Sequence, residues 1–129
     1  MLDHIGLAVS DISRARAFYD QALRPLGYSL IMETGPDVTH SGGTWLGYGP
    51  HGKPVLWVGD NIPPGRGYHV ALEAESREMV RAFHAAALAA GGTDNGAPGV
   101  REHYSPNYYA AFVFDPDGIN LEAVCYAPE

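Results

Sequence analysis

The chain repeats itself. His4-Ile-Gly-Leu-Ala-Val9 and His69-Val-Ala-Leu-Glu-Ala74 each open a segment that then runs in step with the other at one fixed offset. Both copies carry a helix-cap candidate (Asp11, Ser76), an Ala-Phe pair (Ala17-Phe18, Ala82-Phe83), a leucine (Leu23, Leu88) and a glycine (Gly27, Gly92). This is an internal duplication, so whatever unit the first copy folds into, the second should fold into as well.

Within a copy, the period of the apolar residues assigns the elements. Residues Asp3 to Val9 alternate, with Ile5, Leu7 and Val9 on one face and His4, Gly6 and Ala8 on the other, the pattern of a strand packed on one side only. His4 thus stands among small residues, on a face with room for a cavity. Asp11 is placed to cap a helix whose apolar positions Ile12, Ala15, Phe18, Tyr19, Ala22 and Leu23 follow helical spacing and stop before Pro25. Its arginines Arg14 and Arg16 read as a solvated face. Tyr28 to Glu33 reads as a strand, and a loop from Thr34 to Gly43 holds His40. Trp45 to Tyr48 and Val55 to Val58 read as a hairpin. Consecutive prolines make Asn61 to Gly67 a linker. The second copy follows the same plan: a strand with His69, Ala71 and Glu73 on one face, a helix capped by Ser76 and stopped at Gly91-Gly92, and one short strand between Thr93 and Tyr104.

The chain closes on Tyr108-Tyr-Ala-Ala-Phe-Val-Phe-Asp-Pro-Asp-Gly-Ile-Asn-Leu-Glu-Ala-Val-Cys125. Two aromatic and β-branched runs flank Asp115-Pro116-Asp117-Gly118, a turn signal, so the stretch is a hairpin. Glu122 is the odd residue in it. A carboxylate within an apolar strand loses its hydration, and a hydrogen-bond donor or a cation must stand opposite.

Composition excludes several functions. At 129 residues the chain suits a single domain, with 46% hydrophobic residues and a net charge of −7. That charge, without any basic cluster, argues against phosphate-neutralising nucleic-acid binders. The lone cysteine, Cys125, forms no internal disulfide and fits a reducing compartment. No apolar run is long enough to span a membrane, and the start of the chain reads as a strand rather than a signal peptide; the expected location is cytoplasmic. Neither a Ser-His-Asp arrangement, a phosphate loop nor a Cys-x-x-Cys pair is present.

Two copies of strand-helix-strand-strand-strand, a histidine opening each, and Asp115-Pro116-Asp117-Gly118-Ile119-Asn120-Leu121-Glu122 in the second together resemble the vicinal oxygen chelate superfamily, which includes glyoxalase I, extradiol dioxygenases and bleomycin resistance proteins. The resemblance covers essentially the whole chain. It implies an α+β fold, two βαβββ modules forming a curved mixed sheet around a cavity, and a homodimer. It also implies a divalent metal ion (Fe, Mn, Ni or Zn) on His4, His69 and Glu122, acting as Lewis acid toward a small oxygenated substrate in a lyase, isomerase or dioxygenase reaction. Glyoxalase I-like enzymes add a glutamate from the last strand of the first module. Here the helix offset puts Trp57 at that place and the turn glycines put Leu56 there, and neither binds a metal. The alternative is a metal-free protein that sequesters a small molecule, as bleomycin resistance proteins do. In the functional reading, Glu122 and His103 are the catalytic candidates, His103 as a proton shuttle, and Tyr48, Trp57, Tyr104 and Tyr109 line the substrate pocket.

Overall fold

A computed structural model describes residues 2–37, 42–65 and 67–129, so His40 lies outside the described residues. Strand β1 (Ile5–Ala8) leads into helix α1 (Ile12–Ala22), a short 3-10 turn (Arg24–Leu26), β2 (Ser29–Thr34), β3 (Trp45–Gly49) and β4 (Leu56–Gly59). The second half repeats this order with β5 (His69–Glu73), α2 (Arg77–Ala89), β6 (Thr93–Val100), β7 (Tyr109–Phe114) and β8 (Asn120–Cys125). Each half hydrogen-bonds as its own four-stranded sheet, ordered β1-β4-β3-β2 and β5-β8-β7-β6. In both, the first strand runs parallel to the last and the other pairings are antiparallel. The paired βαβββ modules expected from the duplication are present, as two mixed sheets rather than one continuous one.

Both helices start where their caps stand. Asp11 Oδ1 accepts from the Arg14 amide at 3.0 Å, and Ser76 Oγ accepts from the Met79 amide at 3.2 Å, each relieving an amide that the first turn leaves without a partner. At the end of α2 the two glycines differ. Gly91 adopts a left-handed φ of +104°, the conformation that turns the chain out of the helix. Gly92 is needed for space, since a Cβ there would meet Val113 Cγ1 at 2.6 Å and Phe18 Cε1 at 2.9 Å.

That close approach joins the halves. Phe18 reaches from α1 to Gly92 of the other module, α1 lies against α2, and the inner faces of both sheets belong to one buried cluster that includes Leu7, Val58, Phe83, Val113 and Leu121. The stretch Thr93 to Tyr104 departs from expectation. It forms an eight-residue strand despite Gly96, Pro98 and Gly99, because its register with β7 shifts twice and absorbs residues that a regular ladder would reject. Arg14 and Arg16 are only half-exposed and not merely solvated: Arg16 pairs with Glu33 at 2.8 Å, and Arg14 donates to Ser10 Oγ at 2.9 Å.

The β7–β8 turn is fastened to the first module through Asp115. This side chain is buried; Oδ1 accepts the Asp117 and Ile119 amides at 2.8 Å each, and Oδ2 accepts the Tyr19 hydroxyl at 2.9 Å. Burial outweighs these donors and raises the Asp115 pKa above its ordinary 3.8. A carboxyl raised in this way stabilises the fold fully below its unfolded pKa and loses that contribution as pH rises through the folded value. Asp115→Asn keeps an acceptor for both amides and cannot ionise. The stability of the wild type relative to this variant should therefore fall as pH rises above about 4, measured by urea denaturation at a series of pH values; a difference that is constant with pH would refute the assignment.

Candidate functional site

The face of the second sheet turned away from the core brings two of the candidate residues together. Glu122 lies in β8, opposite Phe112 on β7 and opposite Ala71 on β5. Only 1% of its surface is exposed, and both oxygens are engaged. His69 Nε2 stands 2.8 Å from Oε1, and the Tyr108 hydroxyl donates a short hydrogen bond to Oε2. The partner demanded by a carboxylate in an apolar strand is thus one histidine and one phenol. Burial, with the Glu122 carboxylate beside it, holds the Tyr108 pKa well above the usual phenol range, so Tyr108 serves as a donor at neutral pH. The Phe112 ring lies 6.2 Å from His69, centroid to centroid, and the Arg101 guanidinium is 5.4 Å from its centroid. Arg101 itself is tied to the Gly99 and Ala97 carbonyls at 2.8 Å each.

The matching face of the first sheet is apolar. Gly6 pairs with Trp57 as Ala71 pairs with Glu122, so Trp57 occupies the place in module one that Glu122 holds in module two. The register thereby decides between the two alignments left open by the sequence: Leu56 belongs to the core. The room expected around His4 is partly filled by indole. A Cβ on Gly59 would come within 2.3 Å of the Trp45 ring, and one on Gly6 within 3.3 Å. His4, Gly6, Thr34, Trp45 and Trp57 line a cleft of ≈ 310 Å³. A second groove, of ≈ 420 Å³, runs between β1 and β5 and is lined by both His4 and His69. His4 Nδ1 is 2.7 Å from Asp3 Oδ1, whose other oxygen holds Lys53 at 2.6 Å. Among the described residues no three His, Cys, Asp or Glu side chains converge closely enough to hold a metal ion. His69 and Glu122 are together; His4 shares the groove with His69 and is turned to Asp3.

The remaining candidates divide by face. Trp57 lines the cleft with His4. Tyr48 does not: it is fully buried in the core, and its hydroxyl donates to Asp20 at 2.8 Å, because its position in β3 is one residue out of phase with the cleft. Tyr109 also faces the other way, toward α2, where Arg77 lies 4.9 Å from its ring centroid. His103 and Tyr104 stand exposed on the loop before β7, their rings 4.2 Å apart, with Tyr104 edge-on to Tyr108. The group that donates to Glu122 from this side is Tyr108 rather than His103, and it fills the position that a proton shuttle there would need. Sequence reasoning missed Phe112 and Arg101, and it did not send Tyr108 to Glu122. Strand alternation held the signal for two of them, since Phe112 faces Glu122 and Tyr108 is four residues away on the same face.

The family model described as the Glyoxalase/Bleomycin resistance protein/Dioxygenase superfamily matches residues 1–123. Among solved structures, a glyoxalase/bleomycin resistance protein from Albidiferax ferrireducens T118 is 29% identical, with 98% of each chain covered and a TM-score of 0.72. A glyoxalase I mutant from Zea mays is 25% identical over 95% of this chain and 46% of its own, at a TM-score of 0.71. A glyoxylase/bleomycin resistance protein/dioxygenase domain from Frankia sp. EAN1pec, at 16% identity and a TM-score of 0.74, shares the fold. No curated protein matches.

Placing Tyr48 in the core has a measurable consequence. Burial and the Asp20 hydrogen bond raise its pKa far above the usual range, and Tyr48→Phe removes that bond without touching either groove. The variant should lose about 1–2 kcal/mol of stability by urea denaturation and bind any groove ligand as the wild type does; weakened binding would return Tyr48 to the pocket.

Proposed function

The chain belongs to the Glyoxalase/Bleomycin resistance protein/Dioxygenase superfamily, and from that membership we propose that it is a divalent-metal-dependent lyase, isomerase or dioxygenase acting on a small oxygenated substrate, distinct from true glyoxalase I. The observation that carries this reading is the His69–Glu122 pair. Two donors held about 2.1 Å from one metal at right angles stand about 3 Å apart, and Nε2 and Oε1 are separated by 2.8 Å. His69 and Glu122 would hold an iron, manganese, nickel or zinc ion, with His4 the third donor once its ring leaves Asp3. When bound, the ion supplies Lewis acidity to adjacent oxygens of the substrate. The chain's own residues do the rest. Phe112, backed by Arg101, gives the ligand an apolar floor beside Glu122. Trp57 replaces the second carboxylate that glyoxalase I-like enzymes use for proton transfer, so hemithioacetal isomerisation is excluded from the proposal.

A second reading, a metal-free binding protein that sequesters its ligand, has one observation in its favour. Both Glu122 oxygens already have protein donors, and the carboxylate needs no cation to be satisfied. Elemental analysis of protein purified without a metal-affinity tag separates the two. The enzyme reading expects bound metal in the wild type, saturable binding of Fe²⁺, Mn²⁺, Ni²⁺ or Zn²⁺ by calorimetry, and loss of most of it in Glu122→Gln, whose metal-free melting stays close to the wild type. Metal-free protein with no saturable binding would leave the sequestering reading in place.

A homodimer is part of the same proposal. Each sheet has two edge strands, β1 and β2 in the first and β5 and β6 in the second, that pair with no further strand among the described residues; natural sheets cover or block such edges. A second copy of this chain is the proposed cover, and light scattering at micromolar concentration should give twice the 13.8 kDa chain mass; a monomer would refute it. Among the described residues no helix is long and apolar enough to cross a membrane.

A further inference from the structure

We propose that Tyr108 is a positioning residue that sets the orientation in which Glu122 presents its carboxylate to His69 and to an ion or ligand held beside that pair. This rests on the reading of Glu122 as the residue that meets metal or ligand. A carboxylate on a strand turns about its last side-chain bond unless something holds one oxygen. Oε1 is the oxygen beside His69, and Oε2 is the one fixed by the Tyr108 hydroxyl.

Tyr108 is itself held on three sides. Its carbonyl accepts from the Arg101 amide at 2.7 Å and its amide donates to the Ser105 carbonyl at 3.2 Å, while the Tyr104 and Ser105 amides return to the Arg101 carbonyl at 2.9 and 3.3 Å. The loop from Arg101 to Tyr108 is therefore closed on itself rather than loosely draped. Its ring stands edge-on to Tyr104 at 5.0 Å and to Tyr126 at 5.4 Å, the geometry that aromatic quadrupoles prefer. A phenol fixed by both backbone and ring contacts does not swing to follow Glu122; it makes the carboxylate conform. His69 cannot do this alone, because its side chain is half exposed. Groups that hydrogen-bond a metal's ligand tune affinity through that ligand's orientation, typically by about 10–100-fold.

The test uses Tyr108→Phe, which keeps the ring and its two edge contacts and removes only the hydroxyl, and Tyr126→Phe as a control from the same ring cluster. Mn²⁺ and Ni²⁺ are titrated into full-length protein by calorimetry, and each variant is melted in metal-free buffer. Tyr108→Phe should bind about 10-fold more weakly or worse while Tyr126→Phe binds as the wild type does. Equal affinity in Tyr108→Phe overturns the proposal. If the wild type binds neither ion, the metal reading of the site fails and the positioning proposal is decided without it. In metal-free protein carrying ¹³C-labelled glutamate, the Glu122 carboxyl resonance should move in Tyr108→Phe and stay in place in Tyr126→Phe. An unmoved resonance in Tyr108→Phe overturns the proposal on that arm.

Discussion

Glu122 sits between buried Leu121 and Ala123 in β8 with 1% of its surface exposed, and a carboxylate so placed costs several kcal/mol if nothing answers it. Much of the second module is arranged to answer it. β5 must run parallel to β8 in the register that sets Ala71 beside Glu122, for only then does His69 reach across to Oε1. The strand β7 must begin late enough for the closed loop before it to deliver Tyr108 to Oε2. One buried charge thus ties together a parallel strand pair, an antiparallel pair and a loop, and the site is what those constraints leave facing outward.

What the sequence displays is the part of this governed by period. Alternation in Asp3 to Val9, the caps Asp11 and Ser76, and the Asp115 to Gly118 turn are local signals, and the elements form where those signals stand. The need of Glu122 for a partner was legible for the same reason, being a polar residue at an apolar position. His69, which opens the second copy, was an expected neighbour; the phenol was not. Tyr108 and Tyr109 look alike as letters, and only the register of β7 against β8 sends the first to Glu122 and the second to Arg77 on α2. Tyr48 was misplaced by the same one-residue phase, and β6 was under-read because its bulges disguise alternation.

The duplication has diverged at matched positions. Where module two sets Glu122 opposite Phe112, module one sets Trp57 opposite Gly47. The exchange is reciprocal in size: a Cβ on Gly47 would lie within 2.9 Å of the Trp57 ring, so the glycine opposite makes room for the indole. Trp45 covers Gly59 and Gly6 on the same face. Large rings in module one stand against glycines, while the polar network of module two is enclosed by rings. A histidine–carboxyl pair and an aromatic wall have been placed at equivalent points of one repeated frame.

Both of the chain's tryptophans lie on that wall, and they line one cleft with His4. The intrinsic indole emission of the protein therefore comes entirely from the outward face of the first module. Its colour and intensity register the polarity and quenching of a single small region, beside one of the two histidines that open the repeats. The fold carries its own optical probe, already aimed at the half of the molecule where the first copy of the repeat holds an indole in place of a carboxylate.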